Sequence, residues 1–324
     1  MRSTSTAQWK FWASKMEFNH FPVLFNEVIE GLCIKPDGIY VDGTLGGGGH
    51  SEGILNRLTT GRLIANDLDL DAIENAKEKF ADRLNKITFI HDDYKNLCER
   101  MDDLGIEKVD GILLDLGVSS YQIDTPERGF SYNKDAELDM RMNKEQKLSA
   151  FDVVNGYSEK ELSKIFFEYG EERYARTIAA KIGKAREGKP IKTTLELADI
   201  IASAYPSKDR YKFGNPAKRS FQAIRIEVNN ELDGLYDFIM KIALRLKVGG
   251  RMCVITFHSL EDRIVKRAFI ELEKDCICDK KMPICVCNKR KEVEIITKKP
   301  ILGETEAEIN KRSAGAKLRI IERV

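Results

Sequence analysis

The chain has 324 residues, 42% of them hydrophobic and 32% charged, with a formal net charge of +1. That length suits one large globular domain or two ordinary ones. The near-zero charge offers no overall field for nucleic acid, so any such partner has to be met by local patches. No apolar run reaches the roughly 18 residues a membrane-spanning helix needs. Residues 1–15, MRSTSTAQWKFWASK, lack the apolar core of a signal peptide and read as a disordered extension before Met16, a non-native start being one reading. Seven cysteines without an export signal point to a reducing, cytoplasmic setting.

From Pro22 the pattern alternates. PVLFNEVIEGL is helical in spacing, GIYVDGT a short strand, SEGILNRL a helix, GRLIAND a strand and LDAIENAKEKFADRL a helix. KITFIHDD, YKNLCERMDDLG and KVDGILLDLG continue as strand, helix, strand. Such an alternation predicts βαβ units and a parallel sheet. From about Asp135 to Glu227 the segments turn helical and no buried strand is evident. A helical stripe, Leu232, Leu235, Phe238, Ile242 and Leu246, then runs to Gly249. RMCVITF supplies a fifth strand, and KEVEIITKK and AKLRIIERV are suited to pair antiparallel. The expectation is an α/β doubly wound domain interrupted after its fourth strand by a helical insertion: residues 16–134 and 228–324 forming one domain, 135–227 the inserted one.

Four consecutive glycines, Gly46 to Gly49, lie between a strand and a helix. Bare backbone there lets N–H groups and a helix N-terminus approach a nucleotide-like ligand. Asp67 closes the second strand about 24 residues after Gly43, where an acid accepts ribose hydroxyls in dinucleotide-type folds. The ribose is common to NAD and S-adenosylmethionine. The glycine spacing departs from G-x-G-x-x-G and fits an acid-x-x-x-G-x-G form beginning at Asp42. Asp115 ends the fourth strand, at the crevice mouth of an open parallel sheet. There it either caps a helix, faces the cofactor, or accepts a hydrogen bond from a delocalised amine to make it more nucleophilic.

VDGTLGGGGHS, DGILLDLGVSS, ERGFSY, LDMRM, YGEERYAR, RSFQAIRIEVNNEL and FHSLEDRIVK, in this order, resemble the bacterial RsmH (MraW) family from Met16 to Val324. The resemblance implies a class I S-adenosylmethionine (SAM)-dependent methyltransferase of Rossmann-like fold, with a helical substrate-recognition domain inserted. It implies N4-methylation of a cytidine in the decoding centre of 16S rRNA within the small ribosomal subunit, with no metal needed for chemistry. Carried over by motif, Gly48, Gly49, His50, Asp67, Tyr94, Asp115 and Gln122 are expected to bind SAM. The chain has Tyr121 where the family usually has Pro, and Asn215 where it commonly has His. No Asp/Asn-Pro-Pro-aromatic tetrapeptide marks the proton acceptor. Asp115 is the first candidate and His258, directly after the fifth strand, the second, with a strand-end structural role as its alternative. Arg128, Arg141, Arg219 and Arg225 are candidates for RNA contact or for structural ion pairs, and Phe130 and Tyr132 for base stacking or packing.

Cys276, Cys278, Cys285 and Cys287 form a C-x-C…C-x-C cluster, open to a zinc site, redox pairing or simple burial. Cys33, Cys98 and Cys253 read as core. Two rival functions share the architecture: a non-catalytic ribosome-assembly factor that binds SAM or RNA, and a nicotinamide-dependent dehydrogenase.

Overall fold

A computed structural model of the chain describes residues 22–212, 214–279, 284, 286–306, 310 and 313–324. The expected N-terminal extension and Cys285 lie outside these. Alternation opens with helix α1 (Phe25–Gly31), β1 (Ile39–Asp42), α2 (Gly49–Leu55), β2 (Arg62–Asp67) and α3 (Leu70–Lys79). It continues through β3 (Ile87–His91), α4 (Leu97–Asp103), β4 (Val109–Asp115) and the short α5 (Ser120–Asp124). Five further helices follow: α6 (Ala150–Gly156), α7 (Glu159–Glu168), α8 (Ala175–Arg186), α9 (Thr194–Ser203) and α10 (Ala217–Asn229). The α/β pattern returns with α11 (Leu235–Ile242), β5 (Leu246–Thr256) and α12 (Ser259–Glu273). The end of the chain adds β6 (Val293–Ile295), β7 (Ile301–Leu302) and β8 (Lys317–Arg323).

The sheet order is β3-β2-β1-β4-β5-β8-β6, with β7 also paired to β8. Strands β1 to β5 are mutually parallel, and β8 runs antiparallel to β5, β6 and β7. The order reverses between β1 and β4, so a crevice opens at their carboxyl ends. Both faces of the sheet are covered, which is why its strands read as apolar runs rather than alternating ones. Ile112, Leu114, Met252 and Val254 pack with α4, α11 and α12, while Leu113, Cys253 and Ile255 point to the opposite core with α1 and α2. The doubly wound fold expected from the sequence is the one observed.

Between β4 and β5 the only strand-like pairing among the described residues is an isolated bridge, Glu137 to Thr193. Val153, Phe166, Ile178, Leu197 and Ile224 build a third core there. The stretch AFDVVNGYSEKELSKIFFEYG forms two helices, α6 and α7. Ser158 caps α7, accepting from the Glu161 N–H while the Glu161 carboxylate accepts from the Ser158 N–H, so the chain restarts rather than continues after Gly156. The two ends of the excursion are clasped together. Asn229 accepts from the Met142 N–H (2.7 Å) and donates to the Met140 carbonyl (2.8 Å), and Gln146 donates to the Val228 carbonyl (2.8 Å).

The segment Leu246–Gly250, expected to finish a helix, instead begins β5. Leu246 pairs with Val109, and a bulge over the following residues restores register at Gly111–Arg251, with Gly249 in the left-handed region (φ 77°). Helical periodicity carried the reading past Ile242 because Leu246 is buried in either conformation. Cys253 and the half-buried Cys98 sit where expected, whereas Cys33 is exposed. No helix among the described residues is long and apolar enough to cross a membrane.

Candidate functional site

Three parallel strands end on carboxyl groups: β1 on Asp42, β2 on Asp67 and β4 on Asp115. The glycine loop runs over them. Gly43 has no room for a side chain, because a Cβ there would lie 2.6 Å from Leu114 Cδ2. Gly48 takes φ 70° and opens α2, a conformation that costs any other residue. At Gly49 an added Cβ would stand 2.2 Å from Pro22 Cγ. Gly47 is different: it is exposed, with open space where a side chain would go.

Asp42 is buried, accepting from the Ser51 hydroxyl (2.7 Å) and the Thr44 N–H (3.2 Å). Desolvation lifts its pKa to about 6. Asp67 accepts from the N–H groups of Gly46 (2.7 Å) and Asp69 (2.8 Å), which ties the loop to the second strand, and burial raises its pKa to about 6 as well. Asp115 is the most perturbed. Burial, then repulsion from Asp42 and Glu261, pushes it up to about 8, and its Oδ1 is a buried atom with no partner among the described residues. Its Oδ2 lies 3.7 Å from His50 Nδ1. Desolvation lowers His50 to about 4, so its ring is neutral, and its Nε2 meets the Val23 carbonyl at 3.1 Å.

Tyr94 follows β3, tilts against Phe238 at 5.2 Å between ring centroids, and donates weakly to the Glu231 carbonyl (3.4 Å). Glu231 in turn receives both Nε and Nη2 of Arg225 (2.8 and 2.9 Å). His258 caps α12. Its Nδ1 accepts the Glu261 N–H (3.5 Å) and its Nε2 stands 3.0 Å from Glu261 Oε1, so the ring is turned to Glu261 and only 6% exposed. His258 Nε2, although close to Glu261, is a buried atom with no hydrogen-bond partner among the described residues.

The arginines divide. Arg128 is buried, donating to Asp69 (2.6 Å) and to the carbonyls of Arg141 (2.9 Å) and Met142 (3.0 Å). Arg141 grips Asp139 with two bonds of 2.8 Å and ties down the Lys144 and Gln146 carbonyls. With Arg225 held by Glu231, three of the four candidates for RNA contact are engaged as braces. Arg219 alone is exposed, its guanidinium donating to the Glu171 carbonyl (3.1 Å). Phe130 is buried and Tyr132 meets Phe221 edge-on at 5.7 Å, so both pack the helical core. Gln122 is buried as well. It completes a capping box with Ser119 and donates to Asp69 (2.8 Å). Asp69, which sequence reasoning passed over, is the hub of this knot; its cue was an Asp just ahead of the helical pattern of α3. Tyr121 is 43% exposed, and Asn215 accepts from the Ala217 N–H at the start of α10.

The family model described as the MraW methylase family matches residues 17–324. The chain belongs to the MraW methylase family. A relative from Caldicellulosiruptor saccharolyticus, named ribosomal RNA small subunit methyltransferase H, is 57% identical over 310 residues, 95% of this chain and all of the relative. One of the same name from Clostridioides difficile is 52% identical over 311 residues, with the same two coverages. A solved rRNA methylase from Streptococcus thermophilus aligns at 12% identity over 93% of each chain, with a TM-score of 0.38, too distant to carry an argument. As an MraW-family methylase, the protein takes S-adenosylmethionine as its cofactor, and the nicotinamide alternative falls away. The donor set fits: carboxyl groups at three strand ends suit a ligand with sulfonium and ammonium charges, and the open face of Gly47 admits close approach.

Proposed function

We propose that this chain transfers a methyl group to N4 of a cytidine in the decoding centre of 16S rRNA, within the small ribosomal subunit. Relatives at 52–57% identity that carry ribosomal RNA methyltransferase names support the substrate class. The observation that carries the nitrogen chemistry is Asp115, a partly exposed carboxyl group at the carboxyl end of β4 whose Oδ1 has no hydrogen-bond partner among the described residues.

S-adenosylmethionine supplies an electrophilic methyl group on a sulfonium. In this reading Gly48, Gly49 and His50 form its cradle. Asp67, anchored by two backbone donors, turns its remaining lone pairs to the ribose, and Tyr94 lies against the adenine. Gln122 acts through Asp69 by holding the turn after β4. Asp115, once ionised, accepts a hydrogen bond from the exocyclic amine at Oδ1, localises the nitrogen lone pair, and as the carboxylate takes the proton that nitrogen loses as its bond to carbon forms.

The helical segment, residues 135–227, is proposed to hold RNA, with exposed Arg219 among its phosphate contacts. Glu171 joins that segment to the active face: its carboxylate accepts from Ser259 (2.7 Å) and Arg263 (3.2 Å) at the start of α12. The deciding experiment is methyl transfer from labelled S-adenosylmethionine to unmethylated small subunits, with mass mapping of the nucleoside formed. N4-methylcytidine at one decoding-centre position is expected. Cofactor binding without any methylated nucleoside on subunits or free rRNA would overturn the proposal in favour of a non-catalytic assembly factor.

A further inference from the structure

The segment between α12 and β6 is built inside out. Ile277, Ile284 and Val286 are 61%, 73% and 65% exposed, while the sulfurs of Cys276, Cys278 and Cys287 gather within 4.8 Å of one another. An apolar core cannot hold such a loop, because its apolar side chains face water.

The geometry points to a zinc ion held by Cys276, Cys278 and Cys287. Sγ of Cys276 and Cys287 are 3.8 Å apart. A disulfide requires about 2.05 Å. Two thiolates on one tetrahedral zinc, each bonded at about 2.3 Å, stand about 3.8 Å apart. Backbone donors also converge on the sulfurs. The N–H groups of Ile277, Cys278 and Val286 point to Sγ of Cys287, Cys276 and Cys278 respectively, each at 3.4 Å. Neutral thiols accept weakly, whereas metal-bound thiolates carry charge that such outer donors disperse. One donor per sulfur is the second shell that a thiolate site uses.

The two arms of the loop cross-link through these bonds, Ile277 reaching Cys287 and Val286 reaching Cys278. The third sulfur comes from the opposite arm, so an ion here would hold the two arms together. We assign the fourth position to no residue. The ion is structural: it braces the connection into β6 and takes no part in methyl transfer. Each thiol releases its proton on binding, so affinity falls as pH is lowered.

The test is elemental analysis of the full chain purified without added metal or chelator. About one zinc per chain is expected in the wild type, falling at least about fivefold in Cys276→Ser and in Cys287→Ser and unchanged in Cys98→Ser. Reloading the chelator-treated wild type with cobalt(II) should give thiolate-to-cobalt charge-transfer absorption. Should the serine variants fail to fold, titrating the wild type with an organomercurial while following zinc release decides the matter: release in step with modification of these three thiols supports the site. Absence of zinc with no cobalt spectrum would overturn it, as would zinc that survives both serine substitutions. A Cys276–Cys287 disulfide in the purified chain would do the same.

Discussion

Asp115 Oδ2 faces His50 Nδ1 at 3.7 Å, and the tautomer of that ring is set from behind. The Val23 carbonyl can only accept, so Nε2 donates to it and the Nδ1 lone pair points at Asp115. A neutral Asp115 therefore places its proton on the Oδ2 side, and it must release that proton before Oδ1 can take one from the proposed amine. Asp115→Asn keeps the size but removes the ionisable group. Its kcat should fall by about 10²- to 10⁴-fold while the chain stays folded, measured by single-turnover methyl transfer beside circular dichroism.

The same residue sets a pH dependence. Its folded pKa of about 8 lies above the ordinary value of 3.8, so the native state keeps a proton that the unfolded chain releases. That contribution is whole at acid pH and is lost as pH rises through about 8. Asp42 and Asp67, both raised to about 6, act in the same direction at lower pH. Between about pH 6.5 and 8.5 the Tm of the wild type should therefore drop more than that of Asp115→Asn. Binding of the cationic cofactor should tighten over that interval in the wild type and stay level in the variant. Calorimetry at several pH values reads both.

The glycines separate packing from ligand approach. Gly49→Ala drives a methyl group into Pro22 and should cost about 1–3 kcal/mol of stability. Gly47→Ala meets nothing in the protein, so stability should stay within about 0.5 kcal/mol. If the cofactor lies against that bare backbone, the Gly47 variant loses affinity for it all the same. Unchanged cofactor affinity would move the cofactor away from the loop crest.

Arg128 and Arg219 should part company under the same substitution. Removing the Arg128 guanidinium strands Asp69 in the interior, at a cost of about 3–5 kcal/mol by chemical denaturation. Arg219→Ala should leave the denaturation midpoint in place. It should lower the slope of log affinity for RNA against log salt by about 0.7, one phosphate contact on a single strand.

Much of this was legible in the sequence because its causes are local. The strands announced themselves as apolar runs between helical patterns, and the glycines as a turn between a strand and a helix where bare backbone is wanted. Asp42, Asp67 and Asp115 fell at strand ends because each ends such a run. What stayed hidden depends on partners far along the chain. Nothing in ERGFSY says that Arg128 is taken by Asp69, 59 residues earlier. Nor does FHSLEDR by itself say whether His258 looks toward the crevice or toward Glu261. The start of β5 was missed for a related reason: Leu246 meets Val109 across the sheet, a pairing that helical spacing cannot register.

The clasp made by Asn229 and Gln146 on Met140, Met142 and Val228 has a consequence for how such a protein diversifies. Strands β4 and β5 are parallel and need a long crossover in any case. Because the excursion between them leaves and returns through one neck, what lies beyond it can be exchanged, lengthened or trimmed with little disturbance of sheet register, provided the Glu171 link to α12 is kept or replaced. A graft joined at 146 and 228, which keeps Met140, Met142, Gln146, Val228 and Asn229, would carry a foreign module on the same sheet.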